Sequence, residues 1–132
     1  MRFTEYELTV AVTGAAKGVL AAKKRRGRGW DADAAWDELE PLERFKLLDA
    51  VGTQILPVLV ALPDVEVAPG QRPAFSTRQV QETVAGLLGD DLGKLQRAVT
   101  VKARTALVQS ALAALPPRTD PGAAGSSGGP TG

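Results

Sequence analysis

The chain has 132 residues, 44% hydrophobic and 23% charged, with a formal net charge of +1, which fits one folded domain rather than a disordered or fibrous chain. It contains no cysteine and no histidine. That excludes disulfides, thiolate metal sites and thiol nucleophiles, and removes the commonest general base and zinc ligand together.

The first segment announces a helix. Thr4 and Glu7 form a T-x-x-E capping box, in which each side chain satisfies the other residue's free backbone N–H, and Phe3 and Leu8 flank it as a hydrophobic staple. Leu8, Val12, Ala15, Ala16 and Val19 follow helical spacing, and Gly27 is placed to end the helix as a left-handed cap. The acids Glu5 and Glu7 stand where a secretory signal needs a positive end, so a cytoplasmic location is expected.

Lys23, Lys24, Arg25, Arg26 and Arg28 then crowd into six residues. In one reading they complement the dipole at the end of the helix. In the other, with Trp30 as a stacking ring, they grip a polyanion such as nucleic acid. Residues 1–30 carry seven cations against two acids, while residues 31–50 carry seven acids against two cations. The two blocks are expected to neutralise each other when the chain folds back.

Residues 29–40 read as a short second helix capped by Asp31 or Asp33, with Trp36 and Leu39 facing inward. Glu40-Pro41 opens a third helix, since proline suits the first helical position. Phe45, Leu48, Gly52, Ile55, Leu59 and Leu62 repeat at intervals of three and four, widened by Leu47, Val51 and Val58. Pro57 is expected to kink this helix or divide it, because it cannot donate to the Thr53 carbonyl. The longest apolar run, Ile55 to Leu62, has eight residues; a bilayer span needs about 20.

After it, Ala68-Pro69-Gly70-Gln71 has the centre of a type II turn. Ser76 and Gln79 form a second capping box, stapled by Phe75 and Val80, and open a fourth helix through Val84, Leu87 and Leu88 to Gly89. A fifth helix, capped by Asp90 or Asp91, offers Leu92, Leu95, Val99, Ala103, Ala106, Ser110 and Ala113 as its apolar stripe. Between Leu92 and Leu115 it has four cations and no acid. In residues 116–132, eleven of 17 are Pro, Gly or Ser, so a disordered tail is expected. The expected architecture is an all-α bundle of four to five helices over residues 1–115.

Residues 81–99 are similar to the general helix-turn-helix pattern of DNA-binding proteins: Ala85 and Gly89 stand four apart, and Leu95 and Ala98 fall where a second helix packs back. The resemblance covers about 19 residues and implies that Lys94, Gln96 and Arg97 are offered to DNA. The chain departs from the pattern at Asp90, just after the turn glycine, and at Gly93. The stripe containing Phe45, Leu48, Ile55 and Leu59 is the candidate interface for a partner protein or a second copy. Gly14 and Gly18, four apart, permit a close helix contact.

Catalysis has few candidates. The serines are Ser76, Ser110, Ser126 and Ser127: a cap, a residue expected to face the core, and two in the tail. No G-x-S-x-G, phosphate loop or calcium loop occurs. The expectation is a non-catalytic interaction module with no cofactor, no metal and no membrane association. Nucleic-acid binding through residues 23–28, or through Lys94 and Arg97, is the alternative. The abundance of Arg, Ala, Val and Gly points to a GC-rich bacterial genome.

Overall fold

The computed structural model describes residues 1–24 and 32–118. Within them lie five helices: α1 (Glu5–Lys24), α2 (Ala32–Glu38), α3 (Pro41–Ala61), α4 (Thr77–Leu87) and α5 (Lys94–Ala113). Among the described residues there is no strand, only one isolated antiparallel bridge between Gln71 and Arg118. No described helix is long and apolar enough to cross a membrane.

The local signals set the helix starts. Thr4 N–H donates to Glu7 Oε1 and Glu7 N–H to Thr4 Oγ1, each at 3.0 Å. Ser76 and Gln79 exchange the same pair of bonds, at 2.8 and 3.0 Å. Glu40 precedes Pro41 as expected, and its N–H donates to Glu43 Oε1 at 3.1 Å, a third reciprocal cap. The Pro69-Gly70 turn is type II, with Gly70 at φ 82 and Gln71 N–H on the Ala68 carbonyl at 3.0 Å.

Pro57 neither ends nor splits α3, which runs unbroken from Pro41 to Ala61. The proline is exposed, so water can take the Thr53 carbonyl that loses its helical partner.

Helices α1, α3, α4 and α5 enclose the core, with α1 packing most extensively on α5 and α2 lying against α1. Ile55, Leu59, Val80, Val84 and Val108 are completely buried. The α3 stripe faces inward from Gly52 to Leu62, but Phe45, at its start, is 63% exposed. Trp36 closes one end of the core at 8% exposure. Gly14 lets α1 and the end of α5 touch: a Cβ placed there would stand 2.3 Å from Ala114 Cβ. The glycine pair therefore acts within the chain, at Gly14.

Two expectations need correction. α5 turns the other way: Leu95, Val99, Ala103, Ala106, Ser110 and Ala113 face solvent, while Thr105, Val108, Ala111 and Leu112 are buried, with Val101 half-buried. Both faces have helical spacing. The buried one carries two valines, leucine, threonine and alanine, whereas half of the exposed one is alanine and one more is serine, so burying the former removes more apolar area from water. The helix also starts later, at Lys94, with Gly93 as its N-cap, and Asp90 and Asp91 sit in the preceding turn.

The second correction concerns residues 116–118, placed in the tail by composition. They belong to the fold. Arg118 N–H donates to the Gln71 carbonyl at 2.8 Å, and the Arg118 carbonyl accepts from Gly70 N–H. Residues 119–132 lie outside the described residues.

Candidate interaction surfaces

Three surfaces bear on function. The first is an apolar groove between α1 and α3, of about 580 Å³, lined by Val12, Phe45, Leu48, Gly52, Leu56 and Pro57, with Asp49 and Thr53 on its rim. It exists because Gly52 contributes no side chain to its floor, where Leu56 and Val12 would lie 3.6 and 3.8 Å from a Cβ. Phe45 stands at one end. Leu42 and Val60, on the same side of α3, are 62% and 63% exposed.

Of the candidate interface residues, Phe45 and half-buried Leu48 line this groove. Ile55 and Leu59 do not: both are fully buried in the core. Leu56 and Val60 were missed in the sequence because they fall off the Ile55–Leu59–Leu62 stripe, and Leu42 because the stripe was begun at Phe45, three residues later. Their spacing from Phe45 along the helix was the available signal.

The second surface is a groove of about 590 Å³ between α4 and α5, where Gln81, Glu82 and Ala85 face Lys94, Arg97, Ala98, Val101 and Lys102. Here the helix-turn-helix expectation meets its geometry. The connection from Leu88 to Gly93 is six residues, against the three or four of the DNA-binding motif. The two helices run antiparallel, with Ala85 beside Arg97 and Phe75 beside Leu112.

Leu95, expected to pack back, is 79% exposed. Arg97 points its guanidinium at the end of α4, donating to the Ala85 carbonyl at 2.7 Å and the Gly89 carbonyl at 2.9 Å. It adds a side-chain donor to the Ala85 carbonyl, which also accepts the Leu88 N–H at 3.3 Å, and ties the end of α4 to the turn at Gly89. Lys94 remains exposed on the rim. Gln96 is exposed too.

The third surface is the outer face of α5, where Leu95 and Val99 (60% exposed) lead into Ala103, Ala106 and Ala113, with Lys102 alongside. No family model, curated protein or solved structure matches this chain.

Arg25, Arg26 and Arg28 lie outside the described residues, as do the side chains of Lys23 and Lys24. One link between the basic and acidic blocks is present nearby, Lys17 Nζ to Asp33 Oδ1 at 2.8 Å.

The buried carboxylate of Glu7 was legible as a cap but not as an ion pair. Arg118 grips it from both sides, Nε to Oε2 at 2.9 Å and Nη2 to Oε1 at 3.0 Å, and also reaches the Arg2 carbonyl at 3.2 Å. Burial pushes the Glu7 carboxyl up. The hydrogen bonds from Arg118 and Thr4, with the Arg118 charge, more than offset this and hold it below the ordinary glutamate value. Both oxygens are occupied, so the group is a structural clamp rather than a base awaiting a proton. Among the described residues no cluster of three or more Asp and Glu is placed to hold a metal ion.

Proposed function

We propose that this chain is a non-catalytic, cytoplasmic interaction module that receives an apolar helix face in the α1–α3 groove. The observation that supports this reading most directly is the groove itself with its exposed rim. Leu42, Phe45 and Val60 are three large apolar side chains, each more than 60% exposed and all on one side of one helix. Scattered exposed apolar residues are ordinary on a soluble domain; here Phe45 flanks an apolar hollow directly, with Leu42 one turn before it and Val60 one turn beyond Leu56, and an apolar hollow so flanked supports a docking surface.

The test is a titration of isotope-labelled protein with three designed amphipathic helices of neutral, acidic and basic outer faces, followed by NMR. Shifts should concentrate at Val12, Phe45, Leu48 and Leu56. If none of the three perturbs these residues, the reading fails.

A second reading, polyanion binding, draws on the absence of acids from α5, whose cations include Lys94 and Lys102 beside the α4–α5 groove. It is the weaker of the two because Arg97 is already held at the end of α4. Retention on heparin with a steep log-log salt dependence would favour it; elution at low salt would remove it.

A further inference from the structure

We infer that the α1–α3 groove receives a basic amphipathic helix, one whose apolar face carries a lysine or arginine at its edge to meet Asp49. This rests on the interaction-module reading and states the chemistry of its partner. The polar groups of the groove decide that chemistry.

Among the described residues that line the groove, Asp49 alone has an ionisable side chain. Its carboxylate has no hydrogen bond or ion pair with another described residue. Lys46, three residues earlier, does not compensate it and borders a separate hollow with Val19, Leu39 and Leu47. The remaining polar groups are acceptors too. Thr53 Oγ1 already donates its hydrogen to the Asp49 carbonyl, at 2.8 Å. The Thr53 carbonyl lacks its helical donor because Pro57 has no N–H, and Thr53 and Pro57 both line the groove.

A negative charge and bare acceptors, with no side-chain donor to match them, constrain what can close over this surface. An occupant without donors would strip water from the carboxylate and the carbonyl and leave both unpaired. An ammonium or guanidinium supplies several donors and the opposite charge together. A second copy of the groove would bring only another Asp49, and an acidic helix another carboxylate. Each sets like against like.

The apolar lining fixes the length. Phe45 and Pro57 are twelve residues apart on α3, about 18 Å at the helical rise. A helix laid along that distance presents about three turns, with one apolar anchor per turn. The middle anchor enters the hollow over Gly52. Asp49 lies three residues from that glycine, so the cation flanks the middle anchor.

The test uses the full chain and three designed helices, identical except at the two positions flanking the middle anchor, which carry lysine, glutamine or glutamate. Fluorescence anisotropy of the labelled helices gives affinities, and NMR shifts at Val12, Phe45, Leu48 and Leu56 locate them. At low salt the lysine helix should bind about fivefold tighter than the glutamate helix, with glutamine between them. Added salt should narrow the gap. Asp49→Asn should bring the ratio close to one, and Asp49→Lys should invert it. Asp49 is exposed, and circular dichroism checks that each variant is folded.

Gly52→Ala probes the hollow independently. Its Cβ would meet Leu56 and Val12 at an ordinary 3.6 and 3.8 Å, so the fold should keep its stability. The methyl displaces part of the anchor, and all three helices should weaken alike, by about fourfold or more.

Binding that does not distinguish lysine from glutamate overturns the inference, as does a preference that survives Asp49→Asn or an affinity untouched by Gly52→Ala. In each case, shifts at Val12 and Phe45 would leave the interaction module standing with a partner of other chemistry. If no helix shifts those residues, both readings fall.

Discussion

Replacing Gly14 by alanine should destabilise this protein, although alanine is the better helix former. The added Cβ would lie 2.3 Å from Ala114 Cβ, at the closest approach of α1 to the end of α5. Non-bonded carbons rest at about 3.5 to 4.0 Å, so one of the two segments must retreat by more than 1 Å. Ala114 belongs to the last turn of α5, and the following Leu115 is 1% exposed, so a retreat disturbs the core.

Overpacking of this kind costs about 1–3 kcal/mol. Relief of the glycine's helix penalty returns about 1 kcal/mol. The net expectation is a loss of up to about 2 kcal/mol, which for a domain of this size lowers Tm by up to roughly 10 °C. Gly18→Ala and Gly86→Ala provide the contrast. The first Cβ would meet Ser110 Oγ at an ordinary 3.6 Å, and the second meets nothing within 4 Å. Both should gain up to about 1 kcal/mol.

Urea unfolding at constant m-value reads the three side by side. Ala114→Gly in the Gly14→Ala background should restore most of the loss, since it removes the other half of the clash. If Gly14→Ala proved as stable as Gly18→Ala, or if Ala114→Gly gave no relief, the close contact would not be what keeps a glycine at position 14.

Other expectations concern the polar anchors. Glu7→Gln leaves the Arg118 guanidinium, whose side chain is 19% exposed, without its carboxylate. It should lose about 2–4 kcal/mol in urea titrations, with a double-mutant cycle against Arg118→Met showing strong coupling. Acid should act through the same pair. The native carboxyl lies below its ordinary value of 4.5, so its stabilisation is fully present above that pH. It drains away as pH falls from about 4.5 through the lower native value, and Glu7→Gln should flatten that part of a stability–pH curve. Arg97→Ala should cost about 1–2 kcal/mol in thermal unfolding through the lost hydrogen bonds at the end of α4, whereas a side chain held in reserve for DNA would leave stability untouched.

The elements most legible in the sequence were those fixed by neighbours in the chain. The Thr4–Glu7 and Ser76–Gln79 caps, the Glu40-Pro41 entry and the Gly70 turn depend on a few consecutive residues, and each forms as expected. The inward stripe of α3 was legible from Gly52 to Leu62, where the three-four spacing is buried, but not at Phe45, which lies on the exposed side with Leu42 and Val60. α5 was not, since Leu95 and Val99 on one side and Val101 and Val108 on the other give two helical stripes, and spacing alone does not say which one meets α1 and α4.

Arg118 was unreadable for another reason: nothing near it in sequence signals a partner 111 residues away. The groove was half legible. Phe45 and Leu48 belonged to the stripe, but the hollow comes from the missing side chain of Gly52 and the position of Val12 on another helix.

The Glu7–Arg118 clamp also bears on the order in which the domain assembles. Synthesis runs from α1 toward Arg118, so the acid exists long before its counter-charge does. Until the last segment arrives, the opening turn of α1 holds an ionised carboxylate that prefers water to the interior, which discourages that end of the helix from burying itself prematurely. Contacts between such distant residues demand the largest loss of chain freedom and tend to close late. The expectation is that Arg118 closes on Glu7 after the helices that frame it have met, so that Glu7→Gln should speed unfolding more than it slows folding.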